Sequence, residues 1–306
     1  MSASARIRTA ALLLCLCSPI ARVHAQELTP NAYSPAPTGA NLLILTDNFS
    51  SGSISLDPSV PITDVHANIN TAIAGYGRTL GIYGHYTNIG IAVPYVQGEL
   101  SGVIGGVQQS VNRTAIGDPR LRIGINVYGG PALTPKEFAS YRQHTIVGLS
   151  LVVQPPWGAY DSTKLLNIGS NRWAFKPEVG VSQKSGPWTF EADLAAIFFT
   201  VNHNFYNGGV RSQEPIGSLQ LHAIYNFRPG LWLAIDGTYY TGGRTTVNGK
   251  ENFDLQQNSR LGITLAIPCG RAQFLKFAFS HGARTTIGGN FDTVGISYQY
   301  LWFDRR

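Results

Sequence analysis

The chain has 306 residues, of which only 13% are charged, with 34 glycines and a mean hydropathy of −0.01. A charge content about half that of a soluble domain, joined to neutral hydropathy and abundant Gly, Tyr and Phe, argues against a water-soluble fold with a charged exterior and for a wall that alternates lipid-facing and water-facing residues. The formal net charge of +6 is inflated by Arg6, Arg8 and Arg22 near the start, without which 20 basic residues face 17 acidic ones, so nucleic acid is not expected as a partner.

Residues 1–25 read as a secretory signal peptide. Arg6 and Arg8 form a basic start, Ala10 to Cys17 a short apolar run, and Val23-His24-Ala25 a small-residue cleavage site. Residues 26–40 are expected to be a periplasmic N-terminal segment, and 41–306 the folded unit. The remainder then holds a single cysteine, Cys269, so no intramolecular disulfide is available. Cys269 lies in Ile267-Pro268-Cys269-Gly270, which reads as a tight turn. No apolar stretch of about 18 residues follows the signal, so no transmembrane helix is available. A membrane protein without such helices must be a closed barrel, because only closure satisfies every backbone hydrogen bond in lipid.

Period-two alternation dominates the rest. Leu121, Ile123, Ile125 and Val127 alternate with Arg120, Arg122, Gly124 and Asn126. Trp188, Phe190, Ala192 and Leu194 alternate with Thr189, Glu191 and Asp193. Val294, Ile296, Tyr298, Tyr300 and Trp302 alternate with Thr293, Gly295, Ser297 and Gln299. Side chains alternate across a strand, so each segment has one apolar and one polar face. The pattern predicts strands near 41–55, 63–78, 84–100, 113–129, 143–155, 171–183, 187–201, 214–228, 231–244, 254–267, 272–284 and 291–303. Gly98 to Val107 reads either as a strand extension or as an external loop. Short turns at 184–187, 228–230 and 269–271 alternate with longer polar segments near 156–171, 202–214, 243–254 and 285–291. Short turns on one side and long loops on the other mark an outer-membrane barrel, with Trp and Tyr at the strand ends as its girdles. The expected fold is therefore all-β, a single antiparallel up-and-down transmembrane β-barrel of about 12 strands. Its outer face would meet outer-membrane lipid. Gly295, Tyr298 and Tyr300 form the glycine and alternating-aromatic pattern of a terminal strand read by the barrel insertion machinery, although Asp304-Arg305-Arg306 departs from an aromatic end.

Several segments resemble a family of outer-membrane proteins named for a "MetA-pathway of phenol degradation". They are ELTPNAYSPAPTGANLLIL at 27–45, LDPSVPI at 56–62, GDPRLRIGINVYGGPAL at 117–133, GAYDSTKLLNIGSNRWAFKPEVGVS at 158–182 and FRPGLWLAIDGTYYTGGRTTVNG at 227–249. The resemblance implies an outer-membrane barrel of transporter type and, through the family's name alone, a link to aromatic compounds.

Arg120, Arg122, Arg172, Lys176, Glu178, Glu191, Asp193, His222, Asp236, Arg260 and Lys276 fall on the inferred lumen face. A narrow barrel would hold them as a packed polar plug, a wider one as the lining of a selective path. Glu191 and Asp193 share a face, and ion pairing with Arg172 or Lys176 on the preceding strand is favoured over acid–base chemistry or cation binding. Asp118 is expected to anchor a turn before Arg120. Asp161, with residues 167–173, would order the loop after the fifth strand, where Trp157 and Tyr160 would meet either an aromatic ligand or the membrane interface. No G-x-S-x-G elbow is present, and neither catalysis, a metal nor a cofactor is expected. The expected function is passage of small, aromatic or hydrophobic compounds, with a closed barrel carrying binding loops as the alternative.

Overall fold

The computed structural model describes residues 28–56 and 62–304. The signal peptide lies outside the described residues. Strands β1 (Ala40–Ser55), β2 (Ile62–Ile82), β3 (His85–Ile104), β4 (Val107–Ile116), β5 (Arg120–Tyr128), β6 (Thr145–Gln154), β7 (Ala174–Ser185) and β8 (Trp188–Phe199) build the first part of a barrel. After two short strands, β9 (Asn202–Phe205) and β10 (Gly209–Gln213), the wall resumes with β11 (Ile216–Arg228) and β12 (Leu231–Gly242). Two more short strands, β13 (Thr245–Val247) and β14 (Lys250–Glu251), precede β15 (Gln256–Gly270), β16 (Gln273–Arg284) and β17 (Gly288–Phe303). Every pairing in the wall is antiparallel; β17 pairs with β1 from Ala40↔Phe303 to Ser55↔Gly288, and the β2–β3 pairing completes the ring. The barrel is closed with twelve strands, because β4 and β5 lie along one strand path: β5 pairs with the first half of β3 and β4 with its second half.

The two faces follow the sequence alternation. Leu45, Phe49, Ile123, Leu194, Leu221 and Leu261 are exposed on the outside, where a soluble protein would place charge. Their inward neighbours include buried Asn126, Glu191, Asp193, Gln220 and Arg260. Such an exterior is stable in lipid and unstable in water. Paired aromatics occupy strand ends: Trp188 stacks on Phe190 and meets Tyr225 edge-on, and Tyr300 stacks on Trp302.

Three features extend or correct the sequence reading. Gly98 to Val107 is strand, turning at Gly105 and Gly106 (φ 58° and 80°), so β2, β3 and β4 rise as a tall hairpin beyond the rest of the wall. The polar segments 202–214 and 243–254 are not plain loops. They contain β9, β10, β13 and β14, which form a second four-stranded sheet at the loop end. The segment expected to lie in the periplasm is inside the barrel from Leu28 to Gly39, because polar groups on the inner wall hydrogen-bond its backbone.

The turn end carries one longer connection, residues 129–144 between β5 and β6. It holds a one-turn helix, α1 (Pro135–Phe138), where Thr134 and Glu137 form a reciprocal capping box. The Thr134 amide and hydroxyl hold the Glu137 carboxyl below its ordinary value.

Candidate functional site

The candidate site is the lumen. The register lays out its rows. One row runs Asn126, Gly148, Gly180, Asp193, Gln220, Thr238, Arg260 across β5, β6, β7, β8, β11, β12 and β15. The row nearer the turn end carries Ser182, Glu191, His222 and Asp236, and the row on the loop-end side carries Ser150 and Glu178. A polar belt therefore circles the middle of the barrel.

Its partners are specific. His222 Nδ1 lies 2.6 Å from Asp236 Oδ1, whose other oxygen accepts from Thr264 Oγ1 at 2.8 Å. His222 Nε2 faces Asp193 Oδ2 at 3.7 Å. Lys176 pairs with Glu178 at 2.8 Å. Arg260 donates to the Phe291 carbonyl and to Ser280 Oγ. Arg122 donates to Asn88 Oδ1 at 2.7 Å. Arg172 reaches Gln213 and lies 4.3 Å from the Phe199 ring centroid, while Lys276 lies 5.3 Å from that of Trp232. Arg120 shares the inward parity of Arg122.

The expected pairing of Glu191 and Asp193 with Arg172 and Lys176 does not occur. The register sets Ser182 and Gly180 opposite those carboxylates, Lys176 stands further up β7, and Arg172 precedes the strand. Glu191 instead accepts from the Ser182 hydroxyl at 2.9 Å and the Asn31 amide at 2.7 Å.

The N-terminal segment crosses this belt from wall to wall. Leu28 packs over Gly262, and Thr29 N points to Gln220 Oε1 at 3.4 Å. Asn126 Nδ2 donates to the Tyr33 carbonyl at 3.0 Å, and Thr79 Oγ1 to the Pro37 carbonyl at 2.6 Å. Tyr33 is 1% exposed. Its hydroxyl donates to Glu178 Oε1 at 2.9 Å, and its ring rests on Gly148 and Gly180, where a Cβ would stand 2.0 Å from ring carbons. Only glycine permits that approach.

Above the belt the lumen turns apolar. Towards the loop end, Ile54, Val96 and Leu100 pack against buried Ala67, Ile69 and Phe291 as one apolar cluster. Ala174 and Phe199 pack against buried Ile197, Ile216 and Tyr240 as a second. Below it, Ile224, Trp232, Ala234 and Ala266 form a third apolar cluster.

The wall is broken once, at residues 117–119. Here β4 pairs with β3 alone, and the chain after β6 closes its free edge: Ala159 N donates to the Ile116 carbonyl and Arg113 Nε to the Leu166 carbonyl, both at 2.9 Å. Buried Asp118 ties this loop down through Gly158 N, Ser170 N, Ser170 Oγ and Gln154 Nε2. Within the loop, Tyr160 donates to the Asn204 carbonyl and accepts from Asn202, whereas Trp157 is 64% exposed. Asp161 accepts from the Thr163 hydroxyl and amide and pairs with Lys164; these contacts hold its carboxyl down at about 2. Gly295, Tyr298 and Tyr300 lie in β17, at the closing seam with β1.

Sequence reasoning missed Tyr33, Asn31, Gly148 and Gly180. Inward glycines at paired strand positions signal a close backbone approach, but nothing in 28–39 has strand periodicity to say what approaches.

No curated protein is similar in sequence. The crystal structure of an outer membrane channel from Pseudomonas putida F1 matches with TM-score 0.77 at 18% identity, covering 90% of this chain and 100% of that one. The β-domain of the Bordetella autotransporter BrkA matches with TM-score 0.52 at 11% identity, over 86% of this chain and 100% of that one. The transport unit of the Escherichia coli autotransporter AIDA-I matches with TM-score 0.51 at 9% identity, over 97% of each chain. At these identities the likeness is one of fold: a barrel of the outer-membrane kind. A family match spans residues 48–300, and the chain belongs to the family described as "Putative MetA-pathway of phenol degradation".

Proposed function

We propose that the protein is a channel for small aromatic or hydrophobic compounds across an outer membrane, and not an enzyme. The observation that carries this reading is the layered lumen. Towards the loop end, inward apolar side chains pack into two clusters, one around Ile69 and Phe291 and one around Ile216 and Phe199, and a polar belt follows in the middle. Polar lining alone is what any barrel requires. Inward apolar clusters above the belt go beyond that requirement and give a small hydrophobic solute that enters between them an apolar environment to leave water for. The aromatic link in the family description agrees with this chemistry.

The same structure holds an observation for a second reading. Residues 28–39 and the cross-strand pairs fill much of the belt, as in a closed barrel that binds ligands at its loops. Uptake of toluene, phenol and a sugar of similar mass into proteoliposomes separates the two. The channel reading expects the aromatic compounds to enter faster than through protein-free liposomes and the sugar not to. Correctly folded protein that accelerates none of them supports the closed barrel.

A further inference from the structure

The seat beneath Tyr33 is shaped for a ring. Gly148 and Gly180 face each other across β6 and β7. The Cβ positions they lack lie 2.0 Å from Tyr33 Cδ1 and 2.0 Å from Tyr33 Cε2, so the ring lies flat across both backbones. At its hydroxyl end stand Glu178 Oε1 at 2.9 Å and Ser150 Oγ at 3.4 Å. The Arg122 guanidinium carbon lies 5.7 Å from the ring centroid, within cation–π range. All of these contacts recognise a hydroxylated ring rather than the peptide that carries it.

The Asp193 carboxylate does not serve Tyr33. It is 1% exposed, and neither oxygen has a hydrogen-bond partner among the described residues; His222 Nε2 faces Oδ2 at 3.7 Å, beyond hydrogen-bond distance. Its Oδ1 lies 2.2 Å from the missing Gly180 Cβ, the same point that Tyr33 Cε2 approaches to 2.0 Å. Cε2 is the carbon next to the one bearing the hydroxyl. A second hydroxyl on that carbon would stand beside Asp193 and supply the donor it lacks. A buried carboxylate oxygen without a donor is costly; His222 stands on the Oδ2 side, and tyrosine has no group to relieve Oδ1.

We propose that this seat binds a free single aromatic ring with two adjacent hydroxyls, the catechol class, and that Tyr33 occupies it as a built-in competitor. The proposal rests on the channel reading for the route by which a free ring arrives, but binding is measured without flux. In the purified full chain in detergent, hydrogen–deuterium exchange of segment 28–37 is followed with catechol, phenol or toluene. Catechol displaces Tyr33 and quickens exchange, phenol does so less, and toluene not at all. In Tyr33→Ala, which lies outside the strands, the vacated ring space takes up the free compound, as apolar cavities take up benzene. Calorimetric titration then gives catechol binding about tenfold tighter than phenol, and Asp193→Ala in that background removes the difference.

Unchanged exchange of 28–37 in the wild-type protein with all three compounds overturns the proposal, and so does Tyr33→Ala protein that binds catechol no better than toluene. If Tyr33→Ala does not fold, the wild-type exchange decides alone. Catechol binding without solute flux rejects the channel and keeps the seat. Flux without catechol binding does the reverse.

Discussion

The amide and the hydroxyl of Ser170 both donate to Asp118 Oδ2, at 2.8 and 2.6 Å, across 52 residues of sequence. With the Gly158 amide on Oδ1 at 2.7 Å, one buried carboxylate ties the loop after β6 to the break between β4 and β5. Hydrogen bonds to a charged group contribute about 1.5–3 kcal/mol each and are not additive. Asp118→Ala is expected to cost about 3 kcal/mol in urea unfolding followed in detergent and to open residues 155–173 to protease. A variant with the wild-type midpoint and an intact loop would show that the wall break is closed by other contacts.

Asp161 makes a separate prediction about the outer part of the same loop. The Thr163 hydroxyl and amide and the Lys164 ammonium hold its carboxyl down at about 2, against an ordinary value of 3.8. Because the folded value is the lower one, these contacts stabilise the loop fully above the ordinary value. The stabilisation fades as pH falls from there through about 2. Loop proteolysis by an acid-active protease should be flat from pH 7 to pH 5 and rise only in that acid window. A rise near pH 6 would contradict the assignment.

His222 stands between two buried carboxylates, bonded to Asp236 and facing Asp193. Removing one partner from a buried charged set leaves the others uncompensated, typically at about 3–5 kcal/mol. His222→Ala should lower stability by that order, read from the midpoint of unfolding. His222→Gln, which still donates to one carboxylate, should recover part of the loss. Equal stability of all three proteins would mean that the cluster is solvated.

Gly148 tests the seat of the N-terminal segment. A Cβ there would stand 2.0 Å from Tyr33 Cδ1, and overpacking of this kind costs about 1–3 kcal/mol. In Gly148→Val the barrel should persist while the ring leaves, so the Asn31 amide loses its protection against exchange. Retained protection would show that the ring is not confined by Gly148.

The wall was legible in the sequence because its alternation is set by two solvents. Glu191 between Phe190 and Ala192 cannot turn outward without meeting lipid, and the same holds along each strand. Pairings inside the lumen were not legible. The assignment of Lys176 to Glu191 and Asp193 failed because partners depend on strand register, which composition does not carry. The break at 117–119 was visible only as Asp118-Pro119. The entry of 28–39 into the barrel left no periodic trace, since its contacts are single hydrogen bonds and one ring on two glycines.

Planar-bilayer conductance of the wild-type protein beside a variant lacking residues 28–37 tests the central claim, a passage filled by the chain's own N-terminal segment. Both should fold, shown by heat-modifiable mobility, and the shortened protein should conduct several-fold more than the intact one. Two folded proteins with equal conductance, or with none, would contradict it.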